Sequence, residues 1–337
     1  AALPEVYEDG RKTGLDDFLA AGHVLEPVLA SAEPLTTARA LWGMSAAVAY
    51  IRDPGLIITR NNNARVSPAA FKEHLYAAET CAERKLDAAT GRVSLKRVSV
   101  AAAWLRWPLR AEAARLTYLP GQAQGEVPVD GATQYNVWTG WGVQPKKGAV
   151  KPFLQLLEHL FTGAPEDEKT WFTRWLAYPL QHPGTKLFTA AVLFGTRHGT
   201  GKSLIGLTMG CVYGKNFSEI SQADLEGNFN EWAVAKQFVL GDDVTGSDRR
   251  AHADVLKKLI TQKELRVNQK FVPSYTVPDC LNYYFTSNQP DAFFLEDDDR
   301  RYFVHEVTQP PLEQGFYRAY GVWLKEDLLW KDTLAKV

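Results

Sequence analysis

Apolar positions along this 337-residue chain follow two rhythms. Phe153, Leu156, Leu157 and Leu160, and then Trp171, Trp175 and Leu176 after Pro165, recur at helical spacing and predict helices over 152–162 and 166–180. Downstream, short continuous runs take over. Leu187 to Phe194, Phe238 to Leu240 and Leu281 to Phe285 read as buried strands, each ending in small polar or acidic residues. Leu204 to Val212 reads as a helix closing near Gly214. Upstream, Ala46 to Ile51 and Leu56 to Thr59 flank Arg52-Asp53-Pro54-Gly55, a hairpin signal, although the first run is alanine-rich enough to end a helix instead. Pro68 to Thr80 predicts a helix capped by Ser67, and Val100 to Trp107 a second one. Pro120 to Gly131 reads as a polar link. Trp138 and Trp141 follow it, fit either for stacking on bases or for a core contact.

Composition narrows the class without naming it. A hydrophobic content of 45%, a charged content of 23% and a net charge of −1 describe an ordinary globular chain, so any nucleic-acid contact must come from a local basic patch. Residues 31–128 hold more bases than acids and form a small α/β module. Cys81, Cys211 and Cys280 lie far apart, which favours a reducing, cytoplasmic compartment over a disulfide framework or a zinc site. No apolar run has membrane-spanning length, and the opening residues carry no signal-peptide pattern. The chain opens on Ala1 and not on methionine, so it is expected to be a piece of a longer protein.

Candidate chemistry centres on Phe194-Gly195-Thr196-Arg197-His198-Gly199-Thr200-Gly201-Lys202-Ser203. A strand, a glycine-rich loop ending Gly-Lys-Ser and then a helix can hold a nucleoside triphosphate such as ATP. Backbone N–H groups from Gly199 to Gly201 wrap the phosphates, Lys202 reaches the terminal ones and the Ser203 hydroxyl sits on Mg²⁺. The usual spacing puts the outer glycine at Thr196; Gly195 lies one residue upstream.

Asp242 and Asp243 end the second strand, where one carboxylate suits Mg²⁺ and the other the attacking water. Asn288 tips the third, within reach of a γ-phosphate if it does more than make a turn. Arg300 and Arg301 begin a further strand, either as donors to a neighbouring subunit's phosphate or as local partners of the acids before them. Between the second and third strands, Lys263 precedes Leu265 to Val272, which carries Arg266 and Lys270 and can pair with Tyr275-Thr276-Val277 as a basic hairpin suited to phosphate contacts, or else is a solvated charged face.

Taken in order, these features resemble the superfamily 3 helicases, the AAA+ ring motors of viruses, phages and plasmids, and the phage primase–helicases among them. Trp104, Tyr118-Leu119-Pro120-Gly121 and Phe229-Asn230-Glu231-Trp232 add to the likeness, and Gly14 to Leu19 resembles the tail of a TOPRIM-like primase domain. The resemblance implies an α/β AAA+ P-loop ATPase domain with a central, mainly parallel sheet over 186–310. Before it would lie a TOPRIM-like tail (1–30), the small α/β module (31–128) and a linker with a helical collar (129–185); a helical segment (311–337) would follow. It further implies a hexameric ring in a bacterial host, possibly with a primase domain in the full-length chain. ATP and Mg²⁺ would bind between subunits, and 3′-to-5′ movement on single-stranded DNA would be driven through Lys270. An ATPase that remodels protein, or an initiator module whose nucleotide site only drives assembly, would share the phosphate loop.

Overall fold

The computed structural model describes residues 15–24, 35–86, 93–227, 229–242, 249–269, 272–289 and 299–328. Two compact units emerge, Ala1–Leu116 with Pro128–Gln134, and Thr117–Val127 with Tyr135–Val337.

In the first unit, helix α1 (Leu15–Ala20) precedes helix α2 (Leu35–Ala47), which runs into strand β1 (Val48–Asp53). The alanine-rich run thus does both things its composition allowed. Strand β2 (Leu56–Thr59) returns antiparallel, with Tyr50 opposite Ile57, and β3 (Arg65–Val66) extends the meander. Ser67 caps a helix as expected, but that helix is short. Only Pro68–Ala70 is α-helical, Phe71–Leu75 widens into a π turn that buries Phe71, and Thr80 already opens strand β4 (Thr80–Leu86). Strand β5 (Val93–Ser99) pairs with β4 as a separate two-stranded ribbon, and Ser99 caps helix α3 (Val100–Arg106).

Trp104 is fully buried among Leu41, Met44, Ile57 and Phe71, its indole N–H donating to the Ser45 hydroxyl at 2.8 Å, so this large ring carries no unmet donor. Strands β6 (Glu112–Thr117), β7 (Gly125–Val129) and β8 (Ala132–Asn136) complete a six-stranded sheet of order β3-β2-β1-β6-β8-β7. The expected polar link over 120–131 therefore contains strand β7. Its Gly125 and Pro128 mask the alternation, and as the edge strand β7 tolerates a proline.

The second unit is built on five parallel strands: β9 (Ala190–Phe194), β10 (Phe217–Ile220), β11 (Phe238–Asp242), β14 (Asn282–Ser287) and β15 (Tyr302–Glu306), in the order β10-β11-β14-β9-β15. Both faces are covered, which is why the strands read as continuous apolar runs. Ala191, Leu193, Phe238, Leu240 and Tyr284 face helices α4 (Lys151–Leu160), α5 (Glu166–Gln181), α6 (Lys202–Tyr213) and α8 (Gln314–Trp323). Their neighbours Ala190, Val192, Val239, Tyr283 and Phe285 face helix α7 (Arg249–Thr261) and the hairpin of β12 (Glu264–Gln269) with β13 (Val272–Pro278). Trp138 and Trp141 meet edge to face, and Trp141 meets Tyr213 likewise at 5.2 Å, so these rings pack within the unit. No helix among the described residues is long and apolar enough to cross a membrane.

A buried ion pair fastens the second face. The Lys186 ammonium, 5% exposed, lies 2.9 Å from the fully buried Asp279 carboxylate and donates to the Leu259 carbonyl at 2.7 Å. Asp279 also accepts from Gln262 at the end of α7 and from the Leu281 amide, while its own amide donates to the Lys263 carbonyl. Burial pulls the Lys186 ammonium below its ordinary pKa, and the Asp279 charge pulls back the other way.

Candidate functional site

The C-terminal edge of the parallel sheet is where the candidate residues gather. Chain direction explains the place. From β9 the chain crosses to β10 on one side and comes back to β15 on the other, and ligands of open parallel sheets bind where the strand order reverses. The loop after β9 delivers helix α6, whose first residue is Lys202, with Gly201 preceding it at φ 99°. Gly199 is left-handed too, at φ 72°, and a side chain at Gly201 would strike Leu156. The first-turn N–H groups of this twelve-residue helix, which the helix itself does not pair, complete an anion-binding end.

Lys202 is 5% exposed. Its ammonium donates to the carbonyls of Gly195 at 3.2 Å and Arg197 at 3.1 Å, and to Asn288 Oδ1 at 3.1 Å. A buried ammonium held by carbonyl and amide oxygens at a helix N-terminus matches the charge of a polyphosphate. Ser203 Oγ donates to Asp242 Oδ1 at 2.5 Å, and the Thr286 hydroxyl donates to the same carboxylate oxygen. An alcohol and a carboxylate oxygen side by side are the hard oxygen donors that Mg²⁺ takes. The backbone carbonyl of Lys202 is held from below by the Tyr284 hydroxyl at 2.8 Å; burial, then the Asp242 charge, push that phenol well above its ordinary pKa, so it stays a donor.

Strand order produces this convergence. Strand β14 lies between β9 and β11, with Thr286 level with Leu193 on one side and with Asp242 on the other. Lys202, Ser203, Asp242 and Asn288 therefore sit around one point, together with Thr286, whose part sequence reasoning did not single out. Its only signal was its place one residue before the tip of an apolar strand. Gly199 and Thr200 belong to the same loop, Thr200 being buried. Asp243 lies outside the described residues, as does Lys270.

Gly195 also finds its reason. It sits at φ 158°, and a Cβ there would fall 2.3 Å from the Val307 carbonyl oxygen, because the Val307 amide pairs with Phe194 at 2.7 Å. This glycine answers to the backbone beyond β15, not to phosphate, so it lies outside the usual loop spacing. Gly195→Ala is expected to cost about 2–3 kcal/mol, read as a fall in melting temperature. Gly315→Ala, where a Cβ meets nothing within 4 Å, is the control that should leave melting unchanged or slightly raised.

The remaining candidates stand elsewhere. Arg300 and Arg301 precede β15 at the opposite end of the parallel strands, where the Arg301 carbonyl accepts from Ala190. The four steps from Ala190 to Phe194 put them roughly 13 Å from the glycine-rich loop of their own chain. Arg301 is bound to Asp299 through Nε at 2.7 Å and a terminal nitrogen at 2.9 Å, whereas the Arg300 side chain is exposed. Burial alone would raise the Asp299 carboxyl, but the Arg301 guanidinium overrides it and holds the group below its ordinary value.

In the hairpin, Leu265 and Val267 point into the core and leave Arg266 on the outer face, donating to Ser274 at 3.2 Å; exposed Lys263 precedes β12. Asn230 pairs with β12 as an extra rung, accepting from the Asn268 amide and donating to the Arg266 carbonyl, both at 2.7 Å. Among the described residues, neither Lys263 nor Arg266 joins the Lys202 cluster.

Comparison with known proteins places the chain's sequence and fold among relatives. Residues 193–301 match a family model described as a family of unknown function, DUF5906. Over 181 residues, 52% of this chain, the sequence is 28% identical to the DNA primase-polymerase of Nitratiruptor phage NrS-1, and it spans about a quarter (24%) of that relative's length. The apo structure of the NrS-1 C-terminal region superposes with a TM-score of 0.68 at 18% identity, covering 90% of this chain and 70% of that one. A second apo structure of that region, the A form, gives 0.65 at 19% identity over 84% and 65%. This mixed α/β chain, with its mainly parallel sheet, thus shares the fold of the NrS-1 C-terminal region and is similar in sequence to a phage DNA primase-polymerase.

Proposed function

We propose that the chain is the ATP-driven motor part of a phage DNA replication protein, an AAA+ ATPase of the superfamily 3 helicase kind acting on single-stranded DNA. The observation that carries this reading is the meeting of Lys202, Ser203, Asp242 and Asn288 at the C-terminal ends of β9, β11 and β14. Similarity to a phage DNA primase-polymerase supports the replication role.

In this reading, Lys202 and the amides of Gly199, Thr200 and Gly201 hold the phosphates of ATP. Ser203 and Asp242 hold Mg²⁺, which draws charge off the transferring phosphoryl group when bound. Asp243 orients the attacking water, and Asn288, already hydrogen-bonded to the Lys202 ammonium, senses whether a γ-phosphate is there. Arg300 or Arg301 serves the site of a neighbouring copy in a hexameric ring, since it lies at the far end of its own sheet. Lys263, Arg266 and Lys270 contact the DNA backbone. The test is ATP hydrolysis by this chain with and without single-stranded DNA, together with its mass in solution. Stimulated hydrolysis by an oligomer is the expected result, and a chain that hydrolyses no ATP under either condition overturns the reading.

A further inference from the structure

Strand β14 brings two polar side chains to the candidate site, and the motor reading uses only Asn288. Alternate residues of β14 face the start of α6. The Tyr284 hydroxyl donates to the Lys202 carbonyl at 2.8 Å, and Thr286, two residues on, lies beside Ser203 with 3.4 Å between the hydroxyl oxygens. Thr286 is 1% exposed, whereas Asp242, level with it on β11, is exposed at the end of its strand. The Thr286 hydroxyl donates to Asp242 Oδ1, the same oxygen that accepts from Ser203. Two donors thus act on one carboxylate oxygen, and among the described residues Oδ2 takes no hydrogen bond.

We infer that Thr286 is a positioning residue for the divalent cation: it holds Asp242 by Oδ1 and so leaves Oδ2 as the oxygen offered to the metal. The inference rests on the motor reading and adds to it what keeps the acid in place. A carboxylate at an exposed strand end has a broad, soft last torsion, and only its hydrogen bonds select one setting. Ser203 does not suffice as the holder, because the same hydroxyl has to lend a lone pair to the cation. Thr286 has no second duty. It is shut from solvent on a strand paired on both sides, so its donor comes from fixed backbone. Its β-branch further narrows the first side-chain torsion, which aims the hydroxyl. Groups that touch a ligand and not the metal change metal affinity by about 10–100-fold when they are removed.

The experiment is calorimetry of ADP binding to the full chain with excess Mg²⁺ and again in EDTA, and the quantity read is the gain in affinity that Mg²⁺ brings. Thr286→Val, which keeps the shape and loses the hydroxyl, is expected to cut that gain by about tenfold, while Thr286→Ser keeps it within about threefold of wild type. Affinity in EDTA should be the same in all three proteins, since Lys202 and the loop amides hold the phosphates without Thr286. An undiminished gain in Thr286→Val overturns the inference. So does an equal loss in both variants, or a matching loss of affinity in EDTA, since either marks a packing role alone. A wild-type chain that binds no ADP under either condition overturns the motor reading and this inference with it, whereas one that binds ADP without any gain from Mg²⁺ overturns only the metal site.

Discussion

Lys202→Ala is expected to lose roughly 10²–10³-fold of ATP hydrolysis, the scale on which one charge-stabilising donor acts at a reacting centre. The side chain is buried, and its partners include the carbonyls of Gly195 and Arg197 and the amide oxygen of Asn288, all neutral. A fall in turnover much larger than any change in melting temperature is the expected signature of a role at the reacting centre. Steady-state hydrolysis and a thermal melt on the same preparation decide the matter. A variant that hydrolyses ATP at the wild-type rate removes Lys202 from the site. One that loses hydrolysis yet keeps every DNA-dependent activity favours a nucleotide site used only for assembly.

Arg300 and Arg301 are adjacent in sequence but differ in what holds them, and the second prediction follows. Arg300→Ala should lower hydrolysis by about 10³-fold, the range seen when a guanidinium reaches a transferring phosphoryl group from outside, with nucleotide affinity and melting temperature kept. Arg301→Ala should instead lower melting temperature, because Asp299 loses a two-pronged partner at the start of β15. The Asp299 carboxyl is held below its ordinary pKa, so the pair's contribution is present above the usual carboxylate range and lost as the pH falls through the depressed value. Mixing Lys202→Ala subunits with Arg300→Ala subunits should recover part of the activity, since some shared sites then contain both an intact lysine and an intact arginine. No recovery, with mixed oligomers demonstrated by mass, counts against action between copies.

Much of the candidate site's scaffold was legible because its strands are buried on both sides. Leu187 to Phe194, Phe238 to Leu240 and Leu281 to Phe285 are apolar without interruption, and each polar group that follows marks a strand tip. The loop's chemistry was local as well, since Gly201-Lys202-Ser203 needs only its own backbone to be recognised. What stayed hidden depends on neighbours distant in sequence. Thr286 gains its part only because β14 lies between β9 and β11, a strand order that no local pattern encodes. Gly195 looked like a misplaced loop glycine until Val307 was seen against it. Strand β7 was disguised by a glycine and a proline, and the helix after Ser67 was overdrawn because burial of Phe71 bends it into a π turn.

The Lys186–Asp279 pair bears on how force would pass through this molecule. It ties together the approach to β9, the last turn of α7 and the closing end of the β12–β13 hairpin, with both charges shut away from water. Parting two buried opposite charges leaves each without solvent to compensate it, at a cost of about 3–5 kcal/mol. The root of the hairpin is thereby tied to the approach to β9. A displacement of that root is therefore expected to strain the approach to the strand that precedes the glycine-rich loop.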